Sequence, residues 1–270
     1  PFSSKVKKAP DHPFVGPVSF REEEAKVFFG RSSEILDLHD SISNPERQLT
    51  LFFGPSGVGK SSLLFAGLLP RMQDHWNIFY EKRKASIGLP QGLKNLLVKE
   101  RDPSLPTLIL MDQVEEMYTN ICPSLGNEEP DILLEDIIKL LDQEPNTHIL
   151  LSFRKEFLSE LQSLFSSRNI SFLPHPLNPL KDAGILEAIN GVARYDHLRK
   201  VYRGLNFEKG LPEKIRDDII KGQKSHVGPM LQIQLRKMWD VVRKDITPTL
   251  TFDLYEQIKD NSLEEFLLQQ

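Results

Sequence analysis

Eight consecutive residues, Gly54-Pro55-Ser56-Gly57-Val58-Gly59-Lys60-Ser61, carry glycines, a lysine and a hydroxyl at the spacing G-x-x-x-x-G-K-[ST]. At average composition that spacing arises by chance in about one chain of this length in a hundred. Its chemistry is phosphate recognition. Glycines let the backbone curl so that successive N–H groups point at phosphate oxygens, and a following helix adds about half a positive charge at its N-terminus. Lys60 is expected to bridge the β- and γ-phosphates and Ser61 to hold Mg2+, with Ser62 beside it in the same turn. Asp112 follows four apolar residues and offers a carboxylate to the same magnesium. Glu115 and Glu116 lie within one turn of it; Glu116 is expected to deprotonate the water that attacks the γ-phosphate, with Glu115 as its acidic partner. Arg154, just past a further apolar run, can sense that phosphate through charge-assisted bonds.

These side chains need a frame. Leu49 to Phe53, Thr107 to Met111 and His148 to Phe153 are short apolar runs, the pattern of strands buried on both faces of a parallel sheet, and Trp76 to Tyr80 reads as a short aromatic strand. Helical spacing separates them: Ile35, Leu38 and Ile42 behind a Ser32 or Ser33 cap, SSLLFAGLLPRM as far as Pro70, a short stretch at 93–99, DILLEDIIKLLD at 131–142, and Lys155 to Phe165. Strand, glycine loop, helix is the order a phosphate loop requires. The expected fold is therefore α/β, a three-layer sandwich around a parallel sheet. After Pro174, Pro176 and Pro179 the pattern becomes helical at 182–194, 212–221, 229–243 and 252–268, with no strand expected, which predicts an all-helical lid domain. The expected division is a linker at 1–13, a nucleotide-binding domain at 14–175, the lid at 176–250, and the start of a winged-helix or further helical segment at 251–270.

Composition narrows the function. With 34 Lys and Arg against 38 Asp and Glu, the net charge of the 270 residues is −4, so the chain has no overall basic field for nucleic acid. No apolar run reaches the roughly 18 residues of a membrane span. A single cysteine, Cys122, makes no internal disulfide, so a reducing, cytoplasmic setting is expected. The start at Pro1, without an initiator Met, suggests a segment of something longer. Lys82-Arg83-Lys84 reads as a solvated face and Arg71 as a surface cation.

The ordered set of these segments resembles the STAND P-loop ATPases, relatives of the NACHT and AP-ATPase modules, and especially their prokaryotic novel STAND branch. PFVGPVSFREEEAKVFFGRSSEI is similar to that branch's leading segment, LTLFFGPSGVGKSSLLFAGLLP to its Walker A, LILMDQVEEMY to its Walker B, ILLSFRKEFL to its sensor 1, and VGPMLQIQLRKMW to its helical-domain proline motif. The resemblance implies that Phe29, Gly30 and Arg31 flank the base and ribose and that Pro229 touches adenine. His226 and Val227 stand where members usually carry a glycine. It also implies ATP or ADP with Mg2+, slow hydrolysis, and a closed ADP state and an open, oligomeric ATP state. An effector and a sensor fused outside this segment, working in antiviral defence, belong to the same expectation. A DNA-associated initiator or transport ATPase is the alternative, and a small-molecule kinase is disfavoured because 182–268 shows no arginine-rich lid.

Overall fold

The computed structural model describes residues 8–222 and 227–259. They group into two compact units, one formed by the described residues of Pro1–Ile35, Ser56–Arg71 and Asn178–Gln270, the other by Leu36–Pro55 and Met72–Leu177.

The second of these is built on a parallel sheet of five strands, β1 (Leu49–Gly54), β2 (Asn77–Lys82), β3 (Thr107–Asp112), β4 (Thr147–Arg154) and β5 (Leu173–Pro176), in the order β2-β3-β4-β1-β5. Leu49, Leu51, Ile109, Met111, Ile149 and Leu151 line one face and pack against α4 (Gly88–Leu97), α6 (Glu129–Gln143) and α7 (Leu158–Ser166). The other face buries Thr50, Phe52, Leu108, Leu110, His148, Leu150 and Ser152. Burial on both faces explains why these strands read as unbroken apolar runs rather than alternating ones. The register aligns Asp112 with Ser152 and Gly54 with Arg154, so the ends of β1, β3 and β4 share one sheet edge. The short α5 (Glu116–Thr119) follows β3 by one turn.

Strand β5 departs from the sequence expectation, which placed a change of pattern at its prolines. Pro174 and Pro176 pair in register with Leu51 and Phe53. Leu177 N–H donates to Phe53 O at 2.7 Å, so by strand alternation the two proline nitrogens face away from β1, where no ladder bond is needed. Prolines on the outer side also keep this edge from pairing further. Helix α4 begins at Gly88, before the expected 93, because Pro90 falls in its first turn, where a missing N–H breaks no helical bond.

The first unit holds α2 (Lys60–Ser62), a π-type segment Leu63–Leu68 and, continuing it, α3 (Leu69–Met72) as far as Arg71, as well as the start of α1 (Ser32–Ile42). The helix was expected to stop at Pro70 and instead runs through it. The guanidinium of Arg71 donates to Ala66 O at 3.4 Å, a carbonyl whose regular helical donor would have been the absent Pro70 N–H, and also to Gly67 O. Arg71 is therefore a helix-carbonyl partner rather than a plain surface cation. Helices α8 (Asp182–Arg194), α9 (Asp196–Val201), α10 (Leu211–Gly222) and α11 (Val227–Val242) enclose a core of Ile185, Ile189, Leu231, Leu235 and Trp239. Contrary to the expectation of helix alone, β6 (Asn206–Phe207) and β7 (Thr249–Leu250) form a two-residue parallel pair, too short to leave a period in the sequence. Of the segment expected at 251–270 as a winged-helix start or further helix, 252–259 is helical and 260–270 lies outside the described residues. Near the start, Tyr202 O–H donates to Pro10 O at 2.7 Å and Arg236 Nη1 to Phe14 O at 3.2 Å, which fastens residues 10–14 to α11 and the turn after α9.

Candidate functional site

Gly54 ends β1, and the loop leaves the sheet through Pro55, Ser56 and Gly57. Ser56 and Gly57 are exposed while Val58 is buried. Gly59 has φ +100° and ψ 23°, and a Cβ there would meet nothing within 4 Å. Backbone conformation, not space, thus calls for glycine, since an L-residue in this region costs about 1–2 kcal/mol. Gly59 O accepts the N–H of Leu63 at 2.9 Å, so this glycine opens the helix that carries Lys60 and Ser61 in its first turn. Both side chains are half-buried. Ser62 turns its hydroxyl to the backbone N–H of Phe20, at 3.2 Å.

Phe29, Gly30 and Arg31 lie in the same unit as this loop. Phe29 stacks on Tyr195 with centroids 5.5 Å apart and lies over Gly191, where a Cβ would come within 2.3 Å of the ring. Gly30, at φ +89°, approaches Gly184 so closely that a Cβ would sit 2.3 Å from Gly184 O. The guanidinium of Arg31 is buried, donating to Val58 O at 3.0 Å, Asn178 O at 2.8 Å and Glu34 Oε1 at 2.7 Å. Burial lowers its pKa, with the Glu34 pairing acting in the opposite direction. Pro229 is half-buried in the first turn of α11, a position that tolerates a missing N–H. His226 lies outside the described residues.

The sheet edge brings together the acidic and sensing residues within the other unit. Asp112 is 5% exposed, its Oδ1 accepts the N–H of Gln113 at 3.0 Å, and its carbonyl accepts the N–H of Arg83 at 3.1 Å. Gln113 adopts φ +58°, and the chain turns there so that Val114 N–H donates to Ser152 O at 3.2 Å. Glu115 is buried and ion-paired, its Oε1 lying 3.3 Å from Nε of the exposed Arg154. Glu116 opens α5 and is half-buried. The two carboxylates are therefore unlike: one is bound to an arginine, the other more accessible.

The family model for novel STAND NTPase 1 matches residues 13–267. The chain belongs to that family. The fold is also similar to a solved structure of the Aeropyrum pernix ORC2 protein in ADPNP–ADP complexes, with a TM-score of 0.60 and 13% identity over 96% of this chain and 72% of that one. Parallel sheet, flanking helices and family together make this novel STAND NTPase a nucleotide-binding P-loop NTPase. Among its described residues no helix is long and apolar enough to cross a membrane.

Four features of this NTPase escaped the sequence reading. Arg83, placed on a solvated face, is fully buried and grips Glu129 through two bonds, Nε to Oε1 at 3.0 Å and Nη2 to Oε2 at 2.7 Å; Glu129 Oε1 also accepts the N–H of Leu89 at 2.9 Å. A charge inside the protein survives only with such a partner, and nothing local marks Glu129 as one. Ser152, in register with Asp112, is a fully buried hydroxyl with no hydrogen-bond partner. Its signal was a polar residue at the end of an apolar strand. Tyr80 lies on the same face of the sheet as Asp112, and burial followed by the charges of Asp112 and Glu81 pushes its phenol up. The fourth is the linkage through Arg31.

As to a metal, among the described residues no three or more His, Cys, Asp or Glu side chains converge so that they could hold an ion. Ser61 in one unit and Asp112 in the other each carry a hard oxygen donor, the donor class that suits Mg2+.

Proposed function

We propose that this chain is the ATP-binding, slowly hydrolysing switch module of a longer signalling protein, its nucleotide state controlling oligomerisation and the activation of a fused effector. The observation that carries the reading is the Glu115–Arg154 pair beside Asp112 at the sheet edge. An exposed arginine held by a carboxylate can exchange that partner for an incoming γ-phosphate, and a contact present with only one nucleotide shifts a two-state equilibrium.

In this reading the loop amides of Gly57 to Lys60 and the Lys60 ammonium hold the β- and γ-phosphates. Ser61 and Asp112 hold Mg2+, which supplies charge neutralisation on the phosphate oxygens. Glu116 accepts the proton of the attacking water at its carboxylate, and Glu115 holds Arg154 until the γ-phosphate displaces it. Phe29, Gly30 and Pro229 form the base-side surface. Cytoplasmic location, effector and sensor domains outside these residues, and a role in prokaryotic antiviral defence complete the reading. The likeness to ORC2 is one of fold, and a net charge of −4 gives no overall basic field for duplex DNA, so the initiator alternative stands second.

The test is the nucleotide released on denaturing freshly purified protein, wild type against Lys60→Ala. Stoichiometric ADP in the wild type, lost in the variant as binding falls about 100-fold, is the expected result, the size of two charge-assisted bonds. An empty wild type that binds ATP no better than the variant overturns it. Size exclusion of the full-length protein with its trigger and a non-hydrolysable ATP analogue tests assembly, and a monomer there removes the oligomerisation half.

A further inference from the structure

Val58 sits between Gly57 and Gly59, the two left-handed glycines of the loop, at φ +70° and +100°. Its carbonyl and the N–H of Gly59 belong to one planar peptide and point in opposite directions. Whatever pins that carbonyl therefore aims the Gly59 N–H. The pin is Arg31, whose Nη2 donates to Val58 O at 3.0 Å while its Nη1 reaches Asn178 O at 2.8 Å and Glu34 at 2.7 Å. Asn178 stands four residues before α8, on which Gly30 is seated through Gly184 and Phe29 through Gly191. With its side chain 5% exposed, the guanidinium has little water to replace any of these partners, and Glu34 balances its charge.

We infer that Arg31 is a positioning residue of the phosphate loop. One planar fork ties the Val58 carbonyl to the Asn178 carbonyl, so the aim of the loop amides depends on where the start of the 178–194 segment lies. The inference rests on the nucleotide reading above and deepens it: the guanidinium acts through the loop, on phosphate, and not on base or ribose. A lysine retains charge and the reach to Glu34 but cannot present two donors in a fixed plane to two carbonyls.

The experiment compares wild type, Arg31→Lys and Arg31→Ala by equilibrium competition with ATP and with inorganic tripolyphosphate, which carries no base or sugar, alongside thermal melting. In Arg31→Lys, with a cooperative melt retained, both ligands are expected to bind about tenfold more weakly, the worth of one charge-assisted bond. Millimolar guanidinium is expected to restore part of the loss in Arg31→Ala. A fall for ATP with tripolyphosphate unchanged would assign Arg31 to base or ribose and overturn the inference, as would no change for either. Loss of the cooperative melt in both variants would make the residue purely structural, with the same consequence. Wild type that binds neither ligand sinks the nucleotide reading itself, and the inference with it.

Discussion

Nε of Arg154 and Oε1 of Glu115 lie 3.3 Å apart, joining the residue that ends β4 to the buried carboxylate three residues beyond β3. In a partly exposed setting such a pair is worth about 1 kcal/mol, small enough for a phosphate to displace.

Glu115→Gln removes the charge that holds Arg154 and keeps the shape of the side chain. Affinity for a triphosphate analogue is expected to rise about fivefold relative to ADP, the size of that pair. Glu116→Gln is expected to leave both affinities nearly unchanged and to slow phosphate release about 100-fold in a single turnover. Weaker triphosphate binding in the first variant, or undiminished hydrolysis in the second, reverses these assignments.

The Arg83–Glu129 pair is fully buried on both sides. Removing one partner alone, as in Arg83→Met or Glu129→Leu, strands the other charge in the interior and is expected to cost about 3–5 kcal/mol. The double variant recovers most of this, because two apolar side chains of similar volume leave no charge behind. Thermal or urea unfolding of the two singles and the double provides the cycle; additive losses would deny the coupling.

Burial brings the pKa of His148 from 6.5 down to about 4. Between those values the unfolded chain holds the proton and the folded chain does not, so its contribution is complete above pH 6.5 and is lost as the pH falls toward 4. The gap is worth about 3 kcal/mol. Burial moves His175 in the same direction, with Asp37 opposing. His148→Gln, which keeps a polar group for Thr50 Oγ1, now 2.9 Å from Nε2, is expected to lose less melting temperature between neutral and mildly acidic pH than wild type. Equal losses in the two proteins would exclude His148 as a source of acid sensitivity.

The sequence alone determined the parts whose physics is local. A left-handed glycine before Lys60 and Ser61, an aspartate directly after an apolar run, and an arginine after another are marked by residues within a few positions of one another, and the novel STAND resemblance drew on the same short segments. Three strands, β1, β3 and β4, were legible because burial on both faces demands uninterrupted apolar residues, and the half-buried β2 was legible from its aromatic run. The tertiary structure decided what depends on partners distant in the chain. Pro174 and Pro176 look like chain breakers until β1 lies beside them on one side only. Arg83 looks like a surface cation between two lysines until Glu129, 46 positions away, enters its pocket. Arg31 follows Phe29 and Gly30 directly, but the carbonyls it holds come from Val58 and Asn178, 27 and 147 positions away. A buried polar group is fixed by whichever partner folding brings to it, and at such separations no local spacing records which one that is.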